Sequence, residues 1–389
     1  MRDCLKAINL LTGKGMKIGI DITFLFQDKR GMGRYTADLI NELIKSDNKF
    51  YFLSDRDLKP YMEASKEYQG IEFIKYKNKE DISFLEAVWH PWNRIDFPGA
   101  QKNAVNIHDT LPFTEFNDNI PKSYILKDRK RMIDAASKSD MIITLSEFSK
   151  GEIVKNLSVS PEKVEVIPPG ICSDFYRKNY THTEIEALRD KFSGGHPFIL
   201  YVGAPDRRKN WLGLLKAFAV LKQKHNIPHK LVIIGRKPAP AGIFSKDAEK
   251  RELIKLLKEF TSKGELFLIE EVNSIDLVNL YNITDVFVFP SFYEGFGLTV
   301  VEAQICGAPV VTSSSASLPE ASGRGALMCD PHNYEDIAEK IYKVLRDENF
   351  KKELVGKGLE NAAKFSYTNC AVKMLRAFKE LEGEGNVKV

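Results

Sequence analysis

The stretch VFVFPSFYEGFGLTVVEAQICGAPVVT, residues 286–312, sets out a strand, a loop, a helix and the start of a second strand in one run. Val286 to Phe289 are consecutive apolar residues, the form of a strand buried on both faces, and Pro290 ends it. A helix follows from about Gly297. Gly295 and Gly297 leave the intervening backbone open, so amides at the helix start can face a ligand where the helix dipole favours an anion. Seven residues lie between Glu294 and Glu302. Glu294 therefore falls in the loop and Glu302 about a turn and a half into the helix, both able to face one cleft. Carboxylates on either side of exposed amides suit a ligand with hydroxyls at two ends and phosphates between them. A nucleotide-sugar has that make-up.

The rest of the chain frames this unit. Its 389 residues have room for two domains of ordinary size, each with its own core. Hydrophobic residues at 43% and charged residues at 28% exclude a disordered or fibrous chain. A net charge of +4 is too small over this length to argue for nucleic-acid binding. The cysteines (Cys4, Cys172, Cys306, Cys329, Cys370) are odd in number and form no C-x-x-C pair, which argues against a disulfide framework and a structural zinc site. No apolar run reaches the length of a membrane span. Residues 1–15 lack the apolar core and cleavage site of a secretory leader, so a cytoplasmic enzyme is expected, with 1–15 as an N-terminal extension.

Short apolar runs alternate with amphipathic stretches, the pattern of repeated βα units around parallel sheets. Expected strands are 17–22, 87–90, 104–107, 141–145 and 164–167, with a helix from about Tyr35 to Ile44. Pro168-Pro169-Gly170 breaks the pattern, and the polar segment to about His182 reads as a linker. A second alternation has strands at 198–203, 231–234, 266–269, 286–289 and 309–312, and a helix over 211–224. The expected fold is α/β: two doubly wound, Rossmann-like domains, 16–181 on the acceptor side and 182–367 on the donor side. Residues 368–389 form a terminal helix and tail that return to the first domain. Ligands are expected outside the carboxyl ends of the strands.

Other motifs fall at such strand ends. Gly31-Met32-Gly33-Arg34-Tyr35-Thr36 follows the first strand and permits close approach of a phosphate, although Thr36 stands at the third glycine position of a dinucleotide fingerprint. His108-Asp109 ends the strand 104–107. Asp206-Arg207-Arg208-Lys209-Asn210 follows the first strand of the second domain, where fixed cations and the planar fork of arginine suit a diphosphate. Gly235-Arg236-Lys237 and Glu270 to Asn273 follow two neighbouring strands.

The run from Phe289 to Pro331 resembles the donor-site signature of retaining family-4 glycosyltransferases (group 1, GT-B fold), and the resemblance extends from Met16 to about Tyr367 with several motifs in order. It implies a retaining transferase that moves a hexose from a nucleotide-sugar to a hydroxyl of a glycan or lipid-linked acceptor. The setting implied is bacterial polysaccharide or lipopolysaccharide synthesis, with GDP-mannose as first choice of donor. By the same resemblance His108 and Asp109 lie beside the donor sugar, Arg208 and Lys209 at the diphosphate, and Glu294 at a sugar hydroxyl. Glu302 meets the ribose, while Gly295, Phe296, Gly297 and Leu298 present main chain to sugar or phosphate. Gly31, Gly33 and Gly203 line the donor, and Gly235, Arg236 and Val272 border the base. No metal and no separate cofactor are expected. The chain departs from the family pattern at Ala204, Thr299, Gln304-Ile305-Cys306 and Ala316. Rival expectations are an epimerase or phosphorylase on the same scaffold, and a non-catalytic nucleotide-sugar-binding subunit.

Two further features need a reading. Asp55-Arg56-Asp57 has the D-x-D form of a metal-binding motif but lies in a polar loop, so loop chemistry is expected of it. Lys127, Arg129, Lys130 and Arg131 crowd an expected helix beside Tyr124, Ile125 and Met132. They form either a solvated face or a basic surface for an anionic lipid-linked acceptor or membrane headgroups, which would place the enzyme peripherally at the inner membrane face.

Overall fold

A computed structural model of the protein describes residues 15–28, 31–117, 120–238 and 248–383. The chain divides into two compact units, one ending at Cys172 and resuming at Phe365, the other running from Ser173 to Lys364. The first holds a sheet of β1 (Lys17–Asp21), β2 (Lys49–Ser54), β3 (Glu72–Lys75), β4 (Ala87–His90), β5 (Lys102–Asn106), β6 (Met141–Thr144) and β7 (Val164–Val166). The second holds β8 (Phe198–Val202), β9 (Lys230–Ile234), β10 (Leu266–Ile269), β11 (Val286–Phe289), β12 (Val310–Ser313) and β13 (Leu327–Cys329). The strand orders are β3-β2-β1-β4-β5-β6-β7 and β10-β9-β8-β11-β12-β13. Every pairing is parallel. The second sheet thus runs 3-2-1-4-5-6 from its own first strand, the Rossmann order, and the first runs the same way with β7 added at its edge; the reversal lies between β1 and β4 in one and between β8 and β11 in the other. These switch points are where each sheet can receive a ligand.

Burial explains why these segments are strands. Val286 to Phe289 and Ala87 to His90 are buried at every position, as a sheet covered on both faces requires. Three strands lie outside the sequence expectation: β2, β3 and β13. The β3 segment Glu-Phe-Ile-Lys is an edge strand with charged ends, and β13 is a three-residue edge. The helix expected from Tyr35 begins four residues earlier, at Gly31. Gly31 and Gly33 therefore belong to its first turn rather than to a loop. A Cβ on Gly33 would lie 1.6 Å from the Asp28 carbonyl oxygen, so close backbone packing accounts for this glycine, whereas a Cβ on Gly31 would meet open space.

The final helix, Tyr367–Glu382, belongs to the first unit. Its Cys370, Ala371, Met374, Leu375, Ala377 and Phe378 enter the core that contains Tyr35, Leu39 and Ile40 of the helix Gly31–Leu43. Gly170 makes the return possible. A side chain there would strike the Tyr367 backbone nitrogen at 2.2 Å, and Ile171 pairs with Ser366. The division at Cys172 falls nine residues before the expected boundary. Residues from Ser173 on pack with the second unit, through the Lys178 amide on Asn282 Oδ1 at 2.7 Å and the Tyr180 hydroxyl on Asn279 Oδ1 at 2.7 Å.

Gln304, one of the departures from the family pattern, is fully buried. It donates to the Ser322 carbonyl at 2.9 Å and accepts from Asn361 Nδ2 at 3.0 Å, while Asn361 also donates to the Ala321 carbonyl at 2.8 Å. Its amide thus ties three helices of the second unit together: Leu298–Ile305, Leu318–Ser322 and Glu348–Ala362.

Phe378 is fully buried at the junction of the terminal helix with the first-unit core. Phe378→Ala should lower the unfolding free energy by about 3–5 kcal/mol, as for other large core truncations. Urea denaturation of the whole chain checks this, and a loss below about 1 kcal/mol would mean that the helix contributes little to the first unit.

Candidate active site

At the switch point of the second sheet, the loops after β8 and β11 interlock. After β8 the chain makes a short 3₁₀ turn over Arg207–Lys209 and passes through Asn210 in the left-handed conformation (φ 56°). Asn210 accepts the Gly213 amide and donates to the Pro290 and Pro331 carbonyls at 3.0 and 2.7 Å, which fixes the turn from beneath. The Arg208 carbonyl accepts the Phe292 amide at 2.7 Å. Its side chain reaches back across the loop to the Tyr293 carbonyl at 3.2 Å. Each motif thus holds the other's backbone.

Glu294 sits where they meet. Its Oε2 lies 3.0 Å from Arg208 Nη1 and its Oε1 lies 2.6 Å from Lys209 Nζ. Ser291 Oγ lies 2.9 Å from Oε1 and 2.8 Å from the Arg208 carbonyl, and Ser317 donates to the Glu294 carbonyl at 2.8 Å. The three charged side chains are 10–20% exposed. Burial works against ionisation of Glu294, but Lys209, Arg208 and the hydrogen bonds from Lys209 and Ser291 outweigh it and hold the carboxyl below its ordinary range. Burial also depresses Lys209, and the pull of Glu294 only partly restores it against repulsion from Arg208. Both cations meet on this carboxylate, and Arg208 also lies 3.8 Å from Asp206 Oδ2.

The helix Leu298–Ile305 begins at the same place. Gly297, its N-cap, has φ 98° and no side chain caps the helix start. A Cβ at Gly297 would meet Leu318 Cδ2 at 2.5 Å, so glycine is demanded by conformation and by space. Uncapped first-turn amides beside Arg208 and Lys209 make an anion-binding corner. Gly235 is demanded by space too, because a Cβ there would stand 2.2 Å from the Gly203 carbonyl oxygen. The loops after β8 and β9 therefore touch backbone to backbone.

The remaining expected residues take other places. Glu302 is buried a turn into the helix, with the Tyr281 hydroxyl at 3.5 Å from its Oε2. Arg236 is exposed and Val272 is half-buried, and between their loops Lys237 pairs with Glu270 at 3.2 Å. Arg207 turns to Glu249 at 3.4 Å, so among these three adjacent cations only Arg208 and Lys209 converge on Glu294. His108 and Asp109 belong to the first unit. The His108 ring shares a 3.0 Å hydrogen bond with the Pro91 carbonyl, its amide donates to Asn93 Oδ1, and its ring meets Tyr35 edge-on. Burial pushes the His108 imidazole below its usual range, partly offset by the Pro91 carbonyl and Asp109. Asp109 accepts the Leu111 amide at 2.9 Å.

Asp55-Arg56-Asp57 forms a bend after β2. Arg56 donates its amide to Ser54, and Asp57 accepts the Lys59 amide. Among the described residues, no group of three or more His, Cys, Asp or Glu side chains could hold a metal ion. Ser291 and Ser317 are the residues that sequence reasoning missed, because an isolated serine beside a glycine loop carries no pattern.

Comparison with known proteins gives this site its context. Residues 184–361 match the family described as "Glycosyl transferases group 1". The chain is 29% identical to the O-antigen chain mannosyltransferase B of Escherichia coli, over 90% of this chain and 96% of that one. It is 31% identical to the serotype-specific mannosyltransferase WbdA of Escherichia coli over 72% of this chain, and spans about a third (34%) of that relative's length. Among solved structures, a glycosyltransferase from Rickettsia africae is similar with a TM-score of 0.69 at 18% identity, over 96% of this chain and 100% of that one. Anabaena Alr3699/HepE, solved with UDP and glucose, is similar with a TM-score of 0.69 at 14% identity, over 94% and 100%. The fold is that of the GT-B glycosyltransferases.

Ser291→Ala removes a buried hydroxyl from the Glu294 carboxylate and should cost about 1–3 kcal/mol of stability at neutral pH. Glu294 has a depressed folded pKa, so its contribution is present above the ordinary carboxyl pKa and is lost as pH falls through the folded value. The gap between wild type and variant should therefore narrow in acid. Urea midpoints across the acid range test this, and a constant gap would assign the hydroxyl to the Arg208 carbonyl alone.

Proposed function

With a glycosyl transferases group 1 domain at residues 184–361 as the premise, we propose that the protein is a retaining mannosyltransferase. It takes mannose from GDP-mannose and adds it to a hydroxyl of a glycan or lipid-linked acceptor in bacterial polysaccharide synthesis. The observation that carries this reading is the buried Arg208–Lys209–Glu294 group at the switch point of the second sheet. The choice of mannose rests on the two Escherichia coli relatives.

The chemical task is to stabilise negative charge leaving with the diphosphate while positive charge builds on the sugar ring. Arg208, Lys209 and the uncapped amides at Leu298 and Thr299 take the diphosphate, an anion that this cation-rich corner can accept with little rearrangement of its backbone. Glu294 orients a sugar hydroxyl, and Glu302 the ribose. Attack on the same face places the acceptor beside the departing phosphate, which takes its proton. An epimerase would instead release product without an acceptor, and a binding subunit would show no turnover. Product mass separates these readings from transfer.

Two outcomes are expected. Glu294→Ala and Lys209→Ala each lower turnover at least about tenfold, from lost transition-state contacts. Activity survives EDTA, since cationic side chains and amides neutralise the diphosphate. Near-normal rates in both variants would sink the site. Loss of turnover on chelation with rescue by magnesium or manganese would sink the metal-free mechanism.

A second reading concerns the helix Lys122–Lys138 of the first unit. It exposes Tyr124, Leu126 and Ile133 beside Lys122, Lys127, Lys130 and Arg131, while Met132, Ala135 and Ala136 face inward. Lys122, Leu126, Lys130 and Ile133 follow one another at helical spacing along a single exposed stripe. Cations mixed with apolar side chains suit an anionic bilayer surface. No helix among the described residues is long and apolar enough to cross a membrane, so contact here would be peripheral. Changing Lys127, Lys130 and Arg131 together to Gln should raise the apparent KM for a lipid-linked acceptor and spare donor binding, with the effect shrinking at high salt. Loss of donor affinity, or no change at any salt concentration, would return the helix to an ordinary solvated face.

A further inference from the structure

His108 is clasped at two points by the loop that follows β4. The Pro91 carbonyl lies 3.0 Å from its ring Nε2, and Asn93 Oδ1 accepts its backbone amide at 2.9 Å. A carbonyl oxygen has no proton to give, so the ring bond requires the proton on Nε2. The other ring nitrogen, Nδ1, has no hydrogen-bond partner among the described residues, yet it is not sealed in as Nδ1 of His90 is. Burial keeps the ring uncharged at neutral pH, so Nδ1 carries a lone pair.

Asn93 makes this clasp possible. It stands in the left-handed conformation at φ 57°, which strains most residues that carry a side chain and which asparagine tolerates better than most. Its amide donates to the Asn106 carbonyl at 3.0 Å and ties the loop after β4 to the end of β5. Its Nδ2 faces Met32 Sδ at 3.8 Å. The turn brings the carbonyl of Pro91 and the side chain of Asn93 to the same histidine. Asn106 is itself fixed, since its Oδ1 accepts the Trp89 indole at 2.6 Å and its Nδ2 donates to the Tyr35 hydroxyl at 3.3 Å. The Tyr35 ring meets the His108 ring edge-on at 5.3 Å. Asn93 is only half-buried, so core packing does not demand its conformation. Strain held in a loop beside a candidate site points to a role in that site.

We propose that Asn93 is a positioning residue that locks His108 into the tautomer with its proton on Nε2, by bringing the Pro91 carbonyl to the ring and by holding the histidine backbone. His108 then offers its ligand a lone pair at Nδ1 and never a proton. This rests on the transferase reading above, in which His108 meets a hydroxyl of the donor sugar, and adds a direction to that contact: the hydroxyl donates and the ring accepts. A ring without the clasp would exchange between two tautomers, and each turnover would wait for the right one.

The test uses the full chain with isotope-labelled histidine, read by long-range proton–nitrogen NMR at neutral pH without any ligand. The His108 signals, identified as those missing from His108→Gln, should show wild-type protonation at Nε2 alone. Asn93→Ala, which resists the left-handed turn and lacks the bond to the His108 amide, should show both tautomers. Its kcat for transfer from GDP-mannose should fall at least about tenfold, with KM for GDP-mannose within about twofold of wild type. Asn93→Asp keeps an acceptor and tolerates the turn, so it should restore the single tautomer and most of the turnover. Asn93→Gly takes the turn without strain, lacks the bond to the amide, and carries the same expectation as Asn93→Ala where that variant does not fold. A merely structural Asn93 would lower the thermal midpoint and leave tautomer and turnover as they are. That result overturns the role, as does a wild-type proton on Nδ1 or full turnover with a released ring. A ring that Asn93→Ala releases, in a chain that transfers from no nucleotide-sugar, supports the hold of Asn93 on His108 and overturns the transferase reading.

Discussion

One carboxylate holds two cations in the loops that end β8 and β11, and the local structure is organised to keep it there. The Glu294 group is not an efficient source of stability. Charges taken out of water lose more hydration than their mutual attraction readily restores, and a well-packed apolar set of the same volume would often do as well. What the arrangement supplies is position. The Arg208 carbonyl receives both the Phe292 amide and the approach of Ser291, so the cationic turn and the glutamate loop move as one piece. Removing the carboxylate would leave two buried like charges side by side. Keeping it, with Asp206 at 3.8 Å from Arg208, balances both cations at the start of a helix that no side chain caps.

The two sheets share one strand order, yet their switch points differ in chemistry. In the second, Arg208 and Lys209 converge on Glu294, with Asp206 beside Arg208 and helix amides at the same loop. In the first, an unpaired carboxyl and hydroxyl, Asp21 Oδ2 and Thr23 Oγ1, are buried near aromatic rings and arginines already engaged with Phe24, Asp96 and Gln27. Topology places both clusters at the ends of the same kind of strand pair, and side-chain chemistry tells them apart.

The parallel double fold was legible because strands covered on both faces leave unbroken apolar runs, as in Val286 to Phe289 and Leu231 to Ile234. β2 carried the same signal in Phe50 to Leu53, all buried, and could have been read. β3 and β13 could not, since edge strands are short and tolerate charge. The pairing of Arg208 and Lys209 with Glu294 was reachable only through motif resemblance, because 85 residues separate the two loops at the Arg208–Tyr293 bond. Nothing in the sequence marks Asn93, because asparagine serves many turns and its bond to the His108 amide spans 15 positions.

Gln304 and Asn361, 57 positions apart, share a buried amide–amide bond that also holds the ends of the helix Leu318–Ser322. The pair sets a constraint on how this chain can drift. Replacing Gln304 alone by an apolar residue takes one of two donors from the Ser322 carbonyl, which keeps the Gly325 amide at 3.0 Å, and removes one of the acceptors of Asn361. Replacing Asn361 alone strands Gln304 Oε1 and the Ala321 carbonyl. Each single step costs about 1–3 kcal/mol for the partner it strands, and the double exchange escapes only the share held in the amide–amide bond, because the Ala321 carbonyl still loses its donor. Descendants of this sequence should therefore tend to keep both amides, a constraint without any part in catalysis.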